Sequence, residues 1–174
     1  TTLFRSYNPD QENDGSGSQL GGVDVCAMAL QALAPYYLDA GEFNRLGTAH
    51  SHEDLQSAVK KALDFLSTSQ NSTGGYGSSE SSAQVIVALA ALKKDAGSFA
   101  KGSISVLADL LGYRKTDGGF SHTSDGPIDQ MSTEQAAYAL VAYDRYKNNK
   151  KPLYDMSDVF DGPTDGTDTD HTIH

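Results

Sequence analysis

The sequence predicts an all-α protein in which pairs of helices repeat along the chain. Three alanine-rich apolar segments recur, with a step of 59 residues from Leu30 to Leu89 and of 51 residues from Leu89 to Leu140. Amphipathic segments lie between them, and Gly-Gly-aromatic triplets connect the two kinds of segment. A period near 50 residues accommodates two helices and two loops, which is typical of a helical repeat architecture.

The three recurring segments are apolar around nearly the whole helix circumference. Their centres are residues 27–33, 83–92 and 134–143. Since a helix of this composition must be buried on most sides, we expect all three to lie inside the protein.

The segments between them have one apolar stripe and one polar face. In 54–68 the apolar residues recur at i, i+3, i+4 and i+7, whereas Lys60, Lys61 and Asp64 lie off the stripe, and 103–112 repeats the pattern. These are amphipathic helices with one wet side. Two concentric layers, with buried helices inside and amphipathic helices outside, explain the alternation, so we predict a partial α/α toroid. A plain helical solenoid would show less contrast between the two kinds of helix.

The connectors agree with this interpretation. Gly74-Gly75-Tyr76 and Gly118-Gly119-Phe120 each follow an outer helix. We expect the glycines to supply the positive φ that ends that helix, and the aromatic ring to pack back onto the core. Ser132 and Thr133 are predicted N-caps of the last inner helix.

Composition excludes several classes of function. The net charge is −10, from 13 basic and 23 acidic residues, which argues against nucleic-acid binding because that requires a basic surface. No run of 18 apolar residues is present, so no membrane insertion is expected. The single cysteine, Cys26, allows no internal disulfide.

The chain divides into three parts by composition: a polar, Asp- and Gly-rich segment (1–20), the helical repeats (21–158) and an acidic flexible tail (159–174). The first part contains Asp10, Glu12 and Asp14, which match the first half of a calcium loop. They are candidate calcium ligands in an incomplete motif, since Gly21 stands where that loop requires glutamate.

The repeat resembles that of the protein prenyltransferase and terpenoid (squalene) cyclase superfamily. The resemblance rests on the outer-helix residues 62–66, then Gln70, then Gly74-Gly75-Tyr76. The inner segments 27–37, 83–89 and 131–143 resemble toroid domains of large Gram-positive surface proteins. The resemblance implies a ring with more helices than the five predicted here. A partial ring would expose the flanks of its inner helices, and it would favour self-association or a missing second half.

The superfamily's catalytic residues are only partly matched. Asp24-Val25-Cys26 resembles the Asp-x-Cys zinc element of prenyltransferases, but the later histidine position falls on Gln84 or Gln135, which are not normal zinc ligands. We therefore expect no zinc, with Asp24 as a helix N-cap and Cys26 as a small buried residue. The cyclase acid motif keeps Asp24 alone, and the chain has no Trp to stabilise a carbocation.

The sequence therefore favours a non-catalytic module that binds a small molecule or protein, or is architectural, in a secreted or cell-surface protein. Candidate ligand-binding residues are Gln84, Glu134, Gln135 and His122. Two alternatives stay open: an isoprenoid-processing enzyme that uses Asp24 and Cys26, and a small-molecule carrier of the cobalamin-binding type.

Overall fold

The computed structural model describes residues 22–155 and 157–159, and these are mostly helical, as the predicted all-α class requires. The α-helices are α1 (Val23–Leu38), α2 (Ala40–Arg45), α3 (His52–Ser69), α4 (Ser79–Ala91), α5 (Val106–Gly112) and α6 (Gln130–Lys147). Two antiparallel strands, β1 (Ala100–Lys101) and β2 (Ile104–Ser105), precede α5, and a 3-10 turn spans Ser157–Val159.

The described helices pack around α4. Helix α4 lies between α1 and α6, and these three form a row. Helix α3 packs against α1, and α5 packs against α4. The alanine-rich helices thus form the row, and the amphipathic helices pack against it around one hydrophobic core cluster.

Burial around the row is uneven. Every residue of α4 from Ser82 to Ala91 is buried, as predicted for an apolar helix. Helices α1 and α6 bury only one stripe each, so the expectation that all three would be buried on most sides was wrong for these two. The reason is position: within the described residues, α4 is the one helix of the row against which α1 and α6 each pack closely.

Helix α3 is amphipathic as predicted, and its start is fixed by a capping box. The Ser51 hydroxyl accepts from the Asp54 N–H at 3.1 Å, and the Asp54 carboxylate accepts from the Ser51 N–H at 2.8 Å. Leu55, Val59 and Leu66 are buried on the face toward the core.

Two elements were not predicted. Helix α2 has six residues and begins where the Asp39 carboxylate accepts from the N–H groups of Gly41 and Glu42. Such a length is too short for a hydrophobic period to be visible. The two-stranded hairpin turns at Gly102, whose φ is +61°, and it replaces the first residues of the helix predicted over 103–112.

Helix ends also differ from the predictions. Gly74 and Gly118 do have positive φ, +82° and +104°, but α3 and α5 end earlier, so these glycines shape the following loop rather than stop the helix. The N-cap of α6 is Asp129, which accepts from the Ser132 N–H at 2.8 Å. Ser132 and Thr133 therefore lie inside the first turn of α6.

The end of the described chain returns to α6. The Arg145 side chain is buried, donates from Nε to the Lys151 carbonyl at 2.8 Å and forms an ion pair with Asp158. This contact attaches the 3-10 turn to the last inner helix.

Candidate functional site

Hydrogen bonds among three glutamines and a tyrosine connect helices α1, α4 and α6. Gln31 on α1 donates from Nε2 to the Oε1 of Gln84 on α4 at 3.0 Å, and to the Gln84 carbonyl at 3.1 Å. Gln84 in turn donates from Nε2 to the Oε1 of Gln135 on α6 at 3.2 Å, and to the hydroxyl of Tyr138. We call Gln31, Gln84, Gln135 and Tyr138 the amide network.

The amide network is uncharged. Both Nε2 hydrogens of Gln84 and its Oε1 are used within it, and Gln84 is buried. Burial, together with the nearby charges of Tyr154, Glu134 and Asp24, raises the pKa of Tyr138 to about 12. Tyr138 therefore stays a neutral phenol at physiological pH and cannot act there as a general base.

Asp24 and Cys26 do not form a common site. Asp24 is exposed in the first turn of α1, where Gly22 is the N-cap and makes no side-chain cap, so the predicted N-cap role of Asp24 was wrong. Cys26 is 6% exposed, and its Sγ lies 3.8 Å from the Ala62 carbonyl of α3.

The surroundings of Cys26 disfavour its thiolate form. Burial raises the pKa of its thiol to about 11. Only the thiolate binds metal or attacks an electrophile, so this cysteine acts as a small core residue. Among the described residues, no group of three or more His, Cys, Asp or Glu side chains is placed to hold a metal ion.

A second polar cluster joins α4, α6 and the loop between α5 and α6. The Glu80 carboxylate lies 2.9 Å from His122 Nδ1 and accepts from the Ser132 hydroxyl at 2.6 Å. The same hydroxyl lies 2.9 Å from Asp129 Oδ1. The Ser79 N–H donates to the His122 carbonyl at 3.2 Å, which fixes the loop against the start of α4.

This cluster has the residue types of a catalytic triad but the wrong order. Glu80 stands between the imidazole and the hydroxyl, whereas nucleophile activation requires the imidazole next to the hydroxyl. Ser132 is also fully buried. The cluster therefore connects helices and a loop, and His122, a predicted ligand residue, has its exposed ring in that contact.

Glu80 is stabilised in its charged form. Burial disfavours that form, but hydrogen bonds from Ser132, from the Glu80 backbone N–H and from His122 outweigh burial and lower the pKa of Glu80. A carboxyl with a lowered folded-state pKa adds stability that is present above its unfolded pKa and is lost as the pH falls through the folded value.

Glu80→Gln is therefore expected to lower the free energy of unfolding by about 1–2 kcal/mol at neutral pH, and the difference should shrink as the pH falls below the unfolded pKa of Glu80. Urea unfolding across a pH series measures this. Glu53→Gln, at an exposed position in the first turn of α3, is the matched control and should cost less than about 1 kcal/mol, since only its interaction with the helix N-terminus is lost. A loss that stays the same at acid pH would show that the Glu80 charge is not responsible.

The Gly-Gly-aromatic loop after α3 is built around a buried carboxylate. Asp109 of α5 accepts from the Thr73 hydroxyl at 2.6 Å and from the Ser82 hydroxyl at 2.7 Å. Gly75 packs directly against it, since a Cβ at Gly75 would lie 1.7 Å from Asp109 Oδ2. Gln70 donates from Nε2 to the Gly74 carbonyl at 2.6 Å. The Gln and Gly-Gly of the repeat thus have structural roles.

Apolar side chains are exposed at the two ends of the inner row. On α1 the exposed positions include Val25 (54%) and Met28 (52%), and on α6 they include Met131 (62%) and Val141 (47%). We define the α1 end face as Val25, Met28, Ala32 and Pro35, and the α6 end face as Met131, Glu134, Ala137 and Val141, all of which are exposed. Residues at these spacings share one side of a helix.

The predicted site residues lie in different parts of the structure. Gln84 and Gln135 meet in the amide network, and Glu134 lies on the α6 end face. His122 belongs to the Glu80 cluster. The calcium candidates Asp10, Glu12 and Asp14 lie outside the described residues. Gln31, Tyr138, Glu80 and Asp109 were not singled out from the sequence, because their partners are 27 to 54 residues away along the chain.

Comparison with known proteins finds no matching family model, no matching curated protein and no matching solved structure. None of the described helices is both long and apolar enough to cross a membrane.

Proposed function

We propose that this chain is a non-catalytic segment of an α/α toroid that binds a protein partner, or builds a larger ring, through the α1 and α6 end faces. The observation that carries the proposal is the pair of exposed, mainly apolar faces at the two ends of a row whose central helix is buried from Ser82 to Ala91. Contiguous exposed apolar surface of this kind is typical of interaction sites.

The toroid assignment is supported by the order of layers. Alanine-rich helices form the row α1, α4, α6, and the amphipathic helices α3 and α5 cover one side of it. The loop motif Gln70, Gly74, Gly75 repeats in part as Gly118 and Gly119. Placement in a secreted or cell-surface protein is proposed from the resemblance of the inner segments alone.

The absence of catalysis is proposed from the state of the candidate groups. Cys26 is buried against α3 with a raised pKa, and Asp24 is exposed in the first turn of α1, two residues after the N-cap Gly22. At the positions where prenyltransferases place a histidine, Gln84 and Gln135 donate and accept within the amide network.

The test is to assay the purified chain for the superfamily's chemistry. It is expected to retain no stoichiometric zinc, to transfer no prenyl group from a prenyl diphosphate to a cysteine-containing peptide, and to leave the absorption spectrum of cobalamin unchanged. Turnover that Asp24→Ala abolishes and Asp117→Ala preserves would establish the enzyme alternative, since Asp117 is an exposed loop aspartate. A stoichiometric cobalamin shift would establish the carrier.

A further inference from the structure

Comparison of equivalent positions in the repeat indicates a role for the α6 end face. A step of 51 residues relates α6 to α4, and it carries each exposed position of the α6 end face onto a position that α4 covers. The equivalent α4 residues are half-buried Glu80 and buried Ala83, Ile86 and Ala90. The same helical surface is therefore covered in one repeat and open in the next.

At the first of these positions, Glu80, the cover on α4 comes from α6. Glu80, the equivalent of Met131, accepts from the Ser132 hydroxyl of α6 at 2.6 Å, and α4 packs along α6. One repeat later, the α6 end face occupies the position that receives a following inner helix.

The α1 end face shows the complementary relation. The step of 59 residues carries three of its four members, Val25, Met28 and Ala32, onto buried residues of α4, whereas Pro35 maps onto Lys94, beyond the end of α4. These equivalents are Gln84, Val87 and Ala91. At both ends of the row, exposed positions thus correspond to covered positions of α4. Each end face also contains one alanine, Ala32 or Ala137, whose small side chain permits close approach of another helix.

A second copy of this chain carries both faces on preformed helices, with Val25 and Met28 on α1 and Met131 and Val141 on α6. Joining unlike faces gives a heterologous, head-to-tail contact.

We infer that the α6 end face of one copy docks on the α1 end face of a second copy of this chain. The inference rests on the proposed function and names its partner. In this pairing, α1 of the second copy lies beside α6 of the first copy, as α6 lies beside α4 within one copy. The α1 end face has no charged residue, and Glu134 is the one charged residue of the α6 end face. The contact is therefore mainly apolar.

Sedimentation velocity over a wide concentration range tests the inference. The wild type is expected to rise from the monomer mass of 18.5 kDa to multiples of it. Met28→Lys and Val141→Lys should each weaken association by at least about tenfold, because each buries a charge in the contact. Leu111→Lys, at an exposed apolar position of α5, is the matched control and should associate as the wild type does.

Mixing the two variants tests the head-to-tail geometry. The Met28→Lys copy keeps an intact α6 end face and the Val141→Lys copy keeps an intact α1 end face, so an equimolar mixture should form a dimer that neither variant forms alone. Circular dichroism and urea unfolding of each variant check that the substitutions leave the fold intact.

Three results would overturn the inference. The first is a wild type that stays monomeric at every concentration, and the second is a mixture no more associated than its components. The third is a longer polypeptide with flanking sequence that stays monomeric while Met28→Lys and Val141→Lys destabilise it, which would assign the faces to that sequence. Zinc binding or prenyl transfer would refute the proposed function without changing these masses, so the two failures can be told apart.

Discussion

Gly75→Ala is expected to lower the free energy of unfolding by about 3 kcal/mol or more, the range reached when a buried polar network is broken. The added Cβ would lie 1.7 Å from Asp109 Oδ2 and 2.1 Å from Asp109 Cγ. The carboxylate cannot move away freely, because it holds hydrogen bonds from Thr73 and Ser82 and is buried. Displacing it would leave a buried charge without its partners.

Urea unfolding measures the effect, with Gly112→Ala as the control. A Cβ at Gly112 meets no atom within 4 Å, and Gly112 ends α5 without a positive φ, so this change should be neutral or slightly stabilising. The double variant Gly75→Ala, Asp109→Ala should cost less than the two single changes added together, since the clash is removed. Equal stability of Gly75→Ala and the wild type would refute the role given to the Gly-Gly loop.

Leu89→Ala is expected to cost about 2–5 kcal/mol, because Leu89 is fully buried in the central helix α4 and its neighbours on both sides limit relaxation. Leu111→Ala, at an exposed position of α5, should change stability by less than about 0.5 kcal/mol. Thermal or urea unfolding of the pair gives the comparison. A small cost at Leu89 would mean that α4 is not the centre of the packing.

The sequence predicted the helices well where a period is long enough to be visible. The buried character of α4 and the single stripe of α3 follow from composition and spacing alone. The uneven burial of α1 and α6 does not, because an alanine-rich helix shows the same pattern whether one neighbour or two cover it. The resemblance did raise the prospect of exposed inner flanks, but not which residues form them.

The polar clusters were harder to predict. Gln84 and Gln135 stood out because they occupy equivalent positions, but their contact with Gln31 depends on how α1 is set against α4. Likewise, Ser132 looks like an N-cap in the sequence, yet Asp129 takes that position and leaves Ser132 to meet Glu80. Register between helices, rather than pattern along one helix, decides these contacts.

Methyl NMR of selectively labelled methionines tests the central claim most directly, because Met28 lies on the α1 end face and Met131 on the α6 end face. With the signals assigned by Met→Leu substitution, both are expected to shift together as the protein concentration rises, since a head-to-tail contact covers both faces. If neither signal moves up to the solubility limit, or if only one of them moves, the pairing of the α1 and α6 end faces is contradicted.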